Sequence, residues 1–98
     1  MQITYIRHES QAGRGTYVAS ISGTIEPARL TYQIASPGLI LADHSETPSE
    51  VRGHGIAQAL VSRMVEDART GGYRIMPICS YIVSQFQKHP EWSDVLRQ

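Results

Sequence analysis

Glu50-Val51-Arg52-Gly53-His54-Gly55-Ile56-Ala57 introduces the one long amphipathic segment of this chain, and the architecture follows from how that segment is read. Ile56, Leu60, Met64 and Ala68 recur four apart, with Ala57, Val61 and Val65 beside them. This spacing predicts a helix from about Gly55 to Thr70 with a broad apolar stripe. Gln58, Ser62, Glu66, Asp67 and Arg69 fall on the opposite side. Gly71-Gly72 predicts its end, because glycine enters the left-handed conformation without strain. A glycine-rich turn before a helix gathers unpaired backbone N–H groups around one point. The helix dipole adds roughly half a positive charge there. Such a terminus is suited to a phosphate or pyrophosphate.

The residues before this segment read as strands. Ile3-Thr4-Tyr5-Ile6-Arg7 predicts a short strand or extended arm, and Ser10 to Gly15 a loop. Thr16 to Ile21 alternates and ends at a Ser22-Gly23 turn signal. Ala28, Leu30, Tyr32 and Ile34 share one face of a further strand, closed by Ser36-Pro37-Gly38. The apolar run Leu39-Ile40-Leu41-Ala42 predicts a strand covered on both faces. Ser45 to Glu50 is a polar connector. Beyond the helix, Tyr73 to Ile78 predicts a strand whose pairing loosens at Pro77, which has no N–H to donate. Tyr81 to His89 predicts a short helix ended by Pro90. The sum is an α/β (α+β) domain with a mostly antiparallel sheet, one long helix and a short C-terminal helix. Residues 39–79 form a strand–helix–strand unit with a right-handed crossover.

Composition sets limits. The 98 residues make one domain, 1–98, with 41% hydrophobic residues, enough for a modest core. Nine basic residues balance nine acidic ones, so the net charge is zero. That disfavours nucleic acid or an anionic membrane as the main partner. The single cysteine, Cys79, excludes an internal disulfide and fits a reducing compartment. No apolar run approaches the roughly 20 residues of a membrane span. Met1-Gln2-Ile3-Thr4-Tyr5 lacks the pattern of a signal peptide. A soluble cytoplasmic protein is expected.

Two phosphate-binding readings of the glycine turn fail. A P-loop needs Gly-Lys-Ser/Thr after the second glycine, and this chain has Gly55-Ile56-Ala57. A Rossmann fingerprint would place Gln58 at its third small position, and Tyr73 to Met76 supply no acid for a ribose. The third reading fits. Arg52-x-x-Gly55-x-Ala57 resembles the coenzyme A pyrophosphate signature of the GNAT acyltransferase superfamily. His44-Ser45-Glu46-Thr47-Pro48, Pro77-Ile78-Cys79-Ser80-Tyr81 and Lys88-His89-Pro90-Glu91-Trp92 resemble the small, single-domain YjdJ-type N-acetyltransferases. The resemblance spans roughly residues 16–96. That group has Val before the proline and a second Pro after it. Thr47-Pro48-Ser49 stands here instead, so different packing is expected at this turn.

The resemblance implies a GNAT-like acyl-CoA N-acyltransferase fold, acetyl-CoA as cosubstrate, an amine acceptor and no metal. It places the pyrophosphate on Arg52, Gly53, His54, Gly55, Ile56 and Ala57. It runs the pantetheine arm between the strands before and after the long helix, which brings Cys79 near the thioester. Cys79 is then an acyl-accepting nucleophile, a lining residue of the acetyl pocket, or simply a small core hydrophobe. Glu46 and His44 are candidate general bases, or ordinary loop charges. Tyr81 is a candidate proton donor to the leaving thiolate, or an aromatic anchor for the last helix. His89-Pro90-Glu91-Trp92 reads as a helix stop with an aromatic that closes the core. The chain has no room for the helices that wall the acceptor site in larger relatives. A non-catalytic acyl-CoA-binding module is therefore the alternative function. The acceptor stays open, as does the choice between a monomer and a weak homodimer.

Overall fold

The computed structural model describes residues 2–97 and begins with a tight hairpin. Strands β1 (Ile3–Gln11) and β2 (Arg14–Ile21) pair antiparallel around Ala12 and Gly13. Both turn residues have positive φ, 54° and 79°, as a type I′ hairpin requires. The expected loop from Ser10 to Gly15 therefore shrinks to two residues, and the first strand runs on past Arg7. Gly15 is a buried strand residue, not a loop marker. A Cβ there would run into the ring of Tyr32 on the next strand.

Strands β3 (Ala28–Ser36) and β4 (Leu39–Glu46) continue the antiparallel run, and β5 (Arg74–Pro77) joins β4 in parallel. The five strands lie in chain order across one sheet. Tyr17, Ala19, Ile21, Ala28, Leu30 and Tyr32 face the core. Ile34, paired with Ile40, lies on the same face as expected, yet it is 46% exposed near the end of the strand and takes no part in the core. In β4, Ile40 and Ala42 are buried while Leu39 and Leu41 are only half-buried. The apolar run is thus not fully covered on both faces.

Helix α1 (Ile56–Gly71) connects β4 to β5. It buries Ile56, Leu60, Val61, Met64, Val65 and Ala68, the stripe its spacing dictates. Gly72 ends it with φ 73°, its N–H bonded to the Ala68 carbonyl at 2.9 Å. The buried Tyr17 hydroxyl is satisfied by donating to Asp67 Oδ2 of this helix at 2.6 Å. Helix α2 (Ser80–Lys88) and a 3₁₀ turn (Pro90–Val95) complete the same core through Ile82, Phe86, Trp92 and Val95. Leu96 then bridges to Ile75 and covers the outer edge of β5.

One irregularity sets up the site. Thr31 pairs with His44 and Tyr32 with Ala42, so Asp43 is an extra residue in β4, a β-bulge. Its carboxylate accepts hydrogen bonds from Thr31 Oγ1 at 2.6 Å and Gln33 Nε2 at 2.9 Å, with Arg14 at 3.5 Å. Partners directly across a ladder share a face. Before the bulge, Ile40 and Ala42 face the core. After it, Ser45 opposite Leu30 faces the core, while His44 opposite Thr31 and Glu46 opposite Arg29 face the open side of the sheet.

Candidate functional site

Strands β4 and β5 run together only as far as the Ala42–Pro77 pair. β5 ends at Pro77, one residue short of the Ile78 expected, where the missing N–H loosens the pairing. The chain then turns away, with the N–H groups of Ile78 and Cys79 both directed to the Ala42 carbonyl at 2.8 and 3.2 Å. β4 continues to Glu46, paired only with β3. Its other edge, from Asp43 onward, has no strand beside it among the described residues.

A cleft of about 660 Å³ lies beside that free edge. Ser45 and Thr47 line it from the end of β4. Val51, Arg52, Gly53 and Gly55 line it from the connecting loop. Ile56, Ala57 and Gln58 line it from the first turn of α1, and Tyr81 from the first turn of α2. The loop is anchored by Val51, which is fully buried at the end of a 3₁₀ turn (Ser49–Val51). Gly53 and Gly55 take φ of 87° and 74°, a region costly for any residue with a Cβ. Nothing lies within 4 Å of where a Cβ would stand on either. Gly55 caps α1 with no side chain covering the terminus. The first amides of the helix therefore lack intrahelical partners and open into the cleft. Arg52 is exposed beside them and makes no ion pair among the described residues.

The structure thus gathers Arg52, Gly53, Gly55, Ile56, Ala57 and Tyr81 in one cleft. His54 is exposed between the two glycines and is not part of the lining. His44 and Glu46 lie together on the other face of the sheet, His44 Nε2 at 3.9 Å from Glu46 Oε2. Cys79 is half-buried against the hydrophobic core, at the N-cap of α2, where its side chain makes no capping hydrogen bond. Tyr81 is 36% exposed, and partial burial raises its phenol above the ordinary value, so it stays protonated at neutral pH. Ser45, Thr47, Val51 and Gln58 are lining residues the sequence did not single out. Val51 had a visible signal, as the only aliphatic residue between Ala42 and Ile56. Ser45 and Thr47 were hidden by the bulge, which reverses the alternation that period-2 counting assumes.

Among the described residues, no cluster of three or more His, Cys, Asp or Glu side chains is placed to hold a metal ion. No helix among them is long and apolar enough to cross a membrane.

Comparison with known proteins bears on the family and the fold. A family model described as GCN5-related N-acetyl-transferase matches residues 16–95. The fold is similar to the solution NMR structure of a GCN5-like protein from Staphylococcus aureus, proposed there to be an N-acetyltransferase. That similarity has a TM-score of 0.72 at 21% identity and covers 97% of this chain and 91% of the other. No curated protein matches the sequence.

Proposed function

Because this chain belongs to the GCN5-related N-acetyltransferase family, we propose that it transfers the acetyl group of acetyl-CoA to an amine, using the cleft at the start of α1. One observation carries the reading. Two left-handed glycines, the first amides of α1, the free edge of β4 and Tyr81 all border a single cleft.

The residues suit acetyl-CoA in chemistry. The amides of residues 55–58 and Arg52 supply donors and positive charge for a diphosphate. The free edge of β4 offers main-chain groups to the amides of an extended pantetheine arm, as a missing strand would. The arm then ends where β4 and β5 part, near Cys79 and Tyr81. The acceptor approaches from the open face of the sheet, where His44 and Glu46 stand ready to take the ammonium proton, directly or through water. The amine nitrogen attacks the thioester carbonyl, and β4 amides beside the bulge stabilise the oxyanion. The carbon–sulfur bond breaks, and Tyr81 gives its proton to the departing thiolate. Cys79 lines the end of the acyl pocket in this direct route.

Incubation with radiolabelled acetyl-CoA tests the route. Direct transfer predicts label in an amine acceptor from both wild type and Cys79→Ala, with none retained on the protein. Label retained by wild type and lost in Cys79→Ala would replace direct transfer with a thioester on Cys79. Tight CoA binding without transfer to any amine would favour a binding module instead. The balanced charge of the chain disfavours a nucleic acid partner and leaves peptide N-termini, lysines, polyamines and small amines open as acceptors. Cytoplasmic placement, where acetyl-CoA and reduced cysteine coexist, accords with the single free thiol.

A further inference from the structure

His89-Pro90-Glu91-Trp92 takes no part in the chemistry above and does not line the cleft, yet His89 touches Gln58, which does. His89 is held on three sides. Its ring stacks on Trp92 with centroids 4.1 Å apart and planes 15° from parallel. Its Nδ1 lies 2.9 Å from Glu91 Oε2, and its Nε2 lies 3.4 Å from Nε2 of Gln58. With its amide nitrogen turned toward His89, Gln58 donates and His89 Nε2 accepts. The ring proton then sits on Nδ1 and is donated to Glu91. Both contacts are met by this one tautomer. The Glu91 carboxyl is correspondingly held below the usual carboxylate range, first by its hydrogen bond from His89.

Gln58 is a lining residue of the cleft, in the first turn of α1. With its nitrogen engaged by His89, it has its carbonyl Oε1 left to offer. Phosphate oxygens also only accept, so this carbonyl gains nothing from a diphosphate. It matches a donor. The donors of acetyl-CoA are the amine and hydroxyl of its adenosine and, on the acyl-carrying arm, a hydroxyl and two amide N–H groups; in the reading above, the arm is the part that runs from the diphosphate through this cleft toward Tyr81. We propose that Gln58, oriented by His89 and Glu91, is a specificity-determining residue that accepts a hydrogen bond from the pantetheine arm of the cosubstrate. His89 and Glu91 are positioning residues that act through it. The inference rests on the acetyl-CoA reading and adds to it the recognition of the arm as distinct from the phosphates.

Calorimetric titration of wild type, Gln58→Leu, His89→Phe and the double variant tests this, with two ligands. One is CoA; the other is adenosine 3′-phosphate 5′-diphosphate, which keeps the nucleotide and phosphates and lacks the arm. Gln58→Leu should weaken CoA roughly fivefold to tenfold, the worth of one hydrogen bond, and leave the armless ligand unchanged. His89→Phe keeps a ring on Trp92 and should weaken CoA about threefold, with no further loss when added to Gln58→Leu. Should Gln58→Leu not fold, Gln58→Met carries the same comparison. Equal CoA binding by wild type and the Gln58 variant would overturn the inference, as would equal loss of both ligands. Independent, additive effects of the two substitutions would overturn the positioning role. A wild type that binds neither ligand would overturn the acetyl-CoA reading itself and this inference with it.

Discussion

Asp43 and Tyr81 are single side chains on which much of the site depends. Burial alone would raise the Asp43 carboxyl, but hydrogen bonds from Thr31 and Gln33 and the charge of Arg14 outweigh it and hold the group below the usual carboxylate range. A carboxylate whose folded-state affinity for protons is depressed contributes stability above its unfolded value, and loses it as pH falls through the folded value. Wild type should therefore lose stability on acidification below the ordinary carboxylate range more steeply than Asp43→Asn. Denaturant melts at neutral pH and at successively lower acidic pH would show this; parallel curves for the two proteins would contradict it. Tyr81 carries a different prediction. As donor to the leaving thiolate, Tyr81→Phe should lower kcat by about ten- to a hundredfold while CoA affinity holds. A loss confined to affinity would make it an anchor for α2 and no more.

At the scale of elements, the long helix and its glycine terminus were legible because their signals are local. The four-residue spacing from Ile56 to Ala68 and the Gly71-Gly72 stop depend on nothing outside the helix. Pro77 likewise marked the end of β5 by what it lacks. The faces of β4 were not legible. Simple alternation from Ile40 and Ala42 would send His44 and Glu46 into the core side, and Ser45 outward. The bulge at Asp43 reverses both, and the side chains that hold Asp43 there, Arg14, Thr31 and Gln33, lie on two other strands. The first hairpin was misread for a related reason. Gly13 and Gly15 look alike in sequence, but only Gly13 turns the chain, while Gly15 makes room for the Tyr32 ring. The glycine loop before α1 gives the prediction at this scale. Gly55→Ala forces a Cβ into the left-handed region and should cost about 1–2 kcal/mol of stability. It should also weaken CoA at least tenfold, because the first amides of α1 are re-aimed. An alanine variant that melts and binds like wild type would show the loop geometry to be incidental.

The whole molecule divides its labour between the two faces of one sheet. α1, α2 and the C-terminal turn cover one face and build a single core with Trp92, Phe86 and the β2–β3 aliphatic residues. The other face stays uncovered by helices and carries Asp43, His44 and Glu46. The gap where β4 and β5 part lies between the two, so on the proposed function cosubstrate and acceptor would meet there from opposite sides. That arrangement depends on main-chain amides at the start of α1 receiving a diphosphate. The most direct test follows the backbone amide resonances of the labelled protein during titration with CoA. The largest shifts should fall on residues 52–58, then on Ser45, Thr47 and Tyr81, with β1 and the C-terminal half of α1 unmoved. Saturating CoA that leaves residues 52–58 unshifted, or shifts that centre elsewhere, would contradict the account.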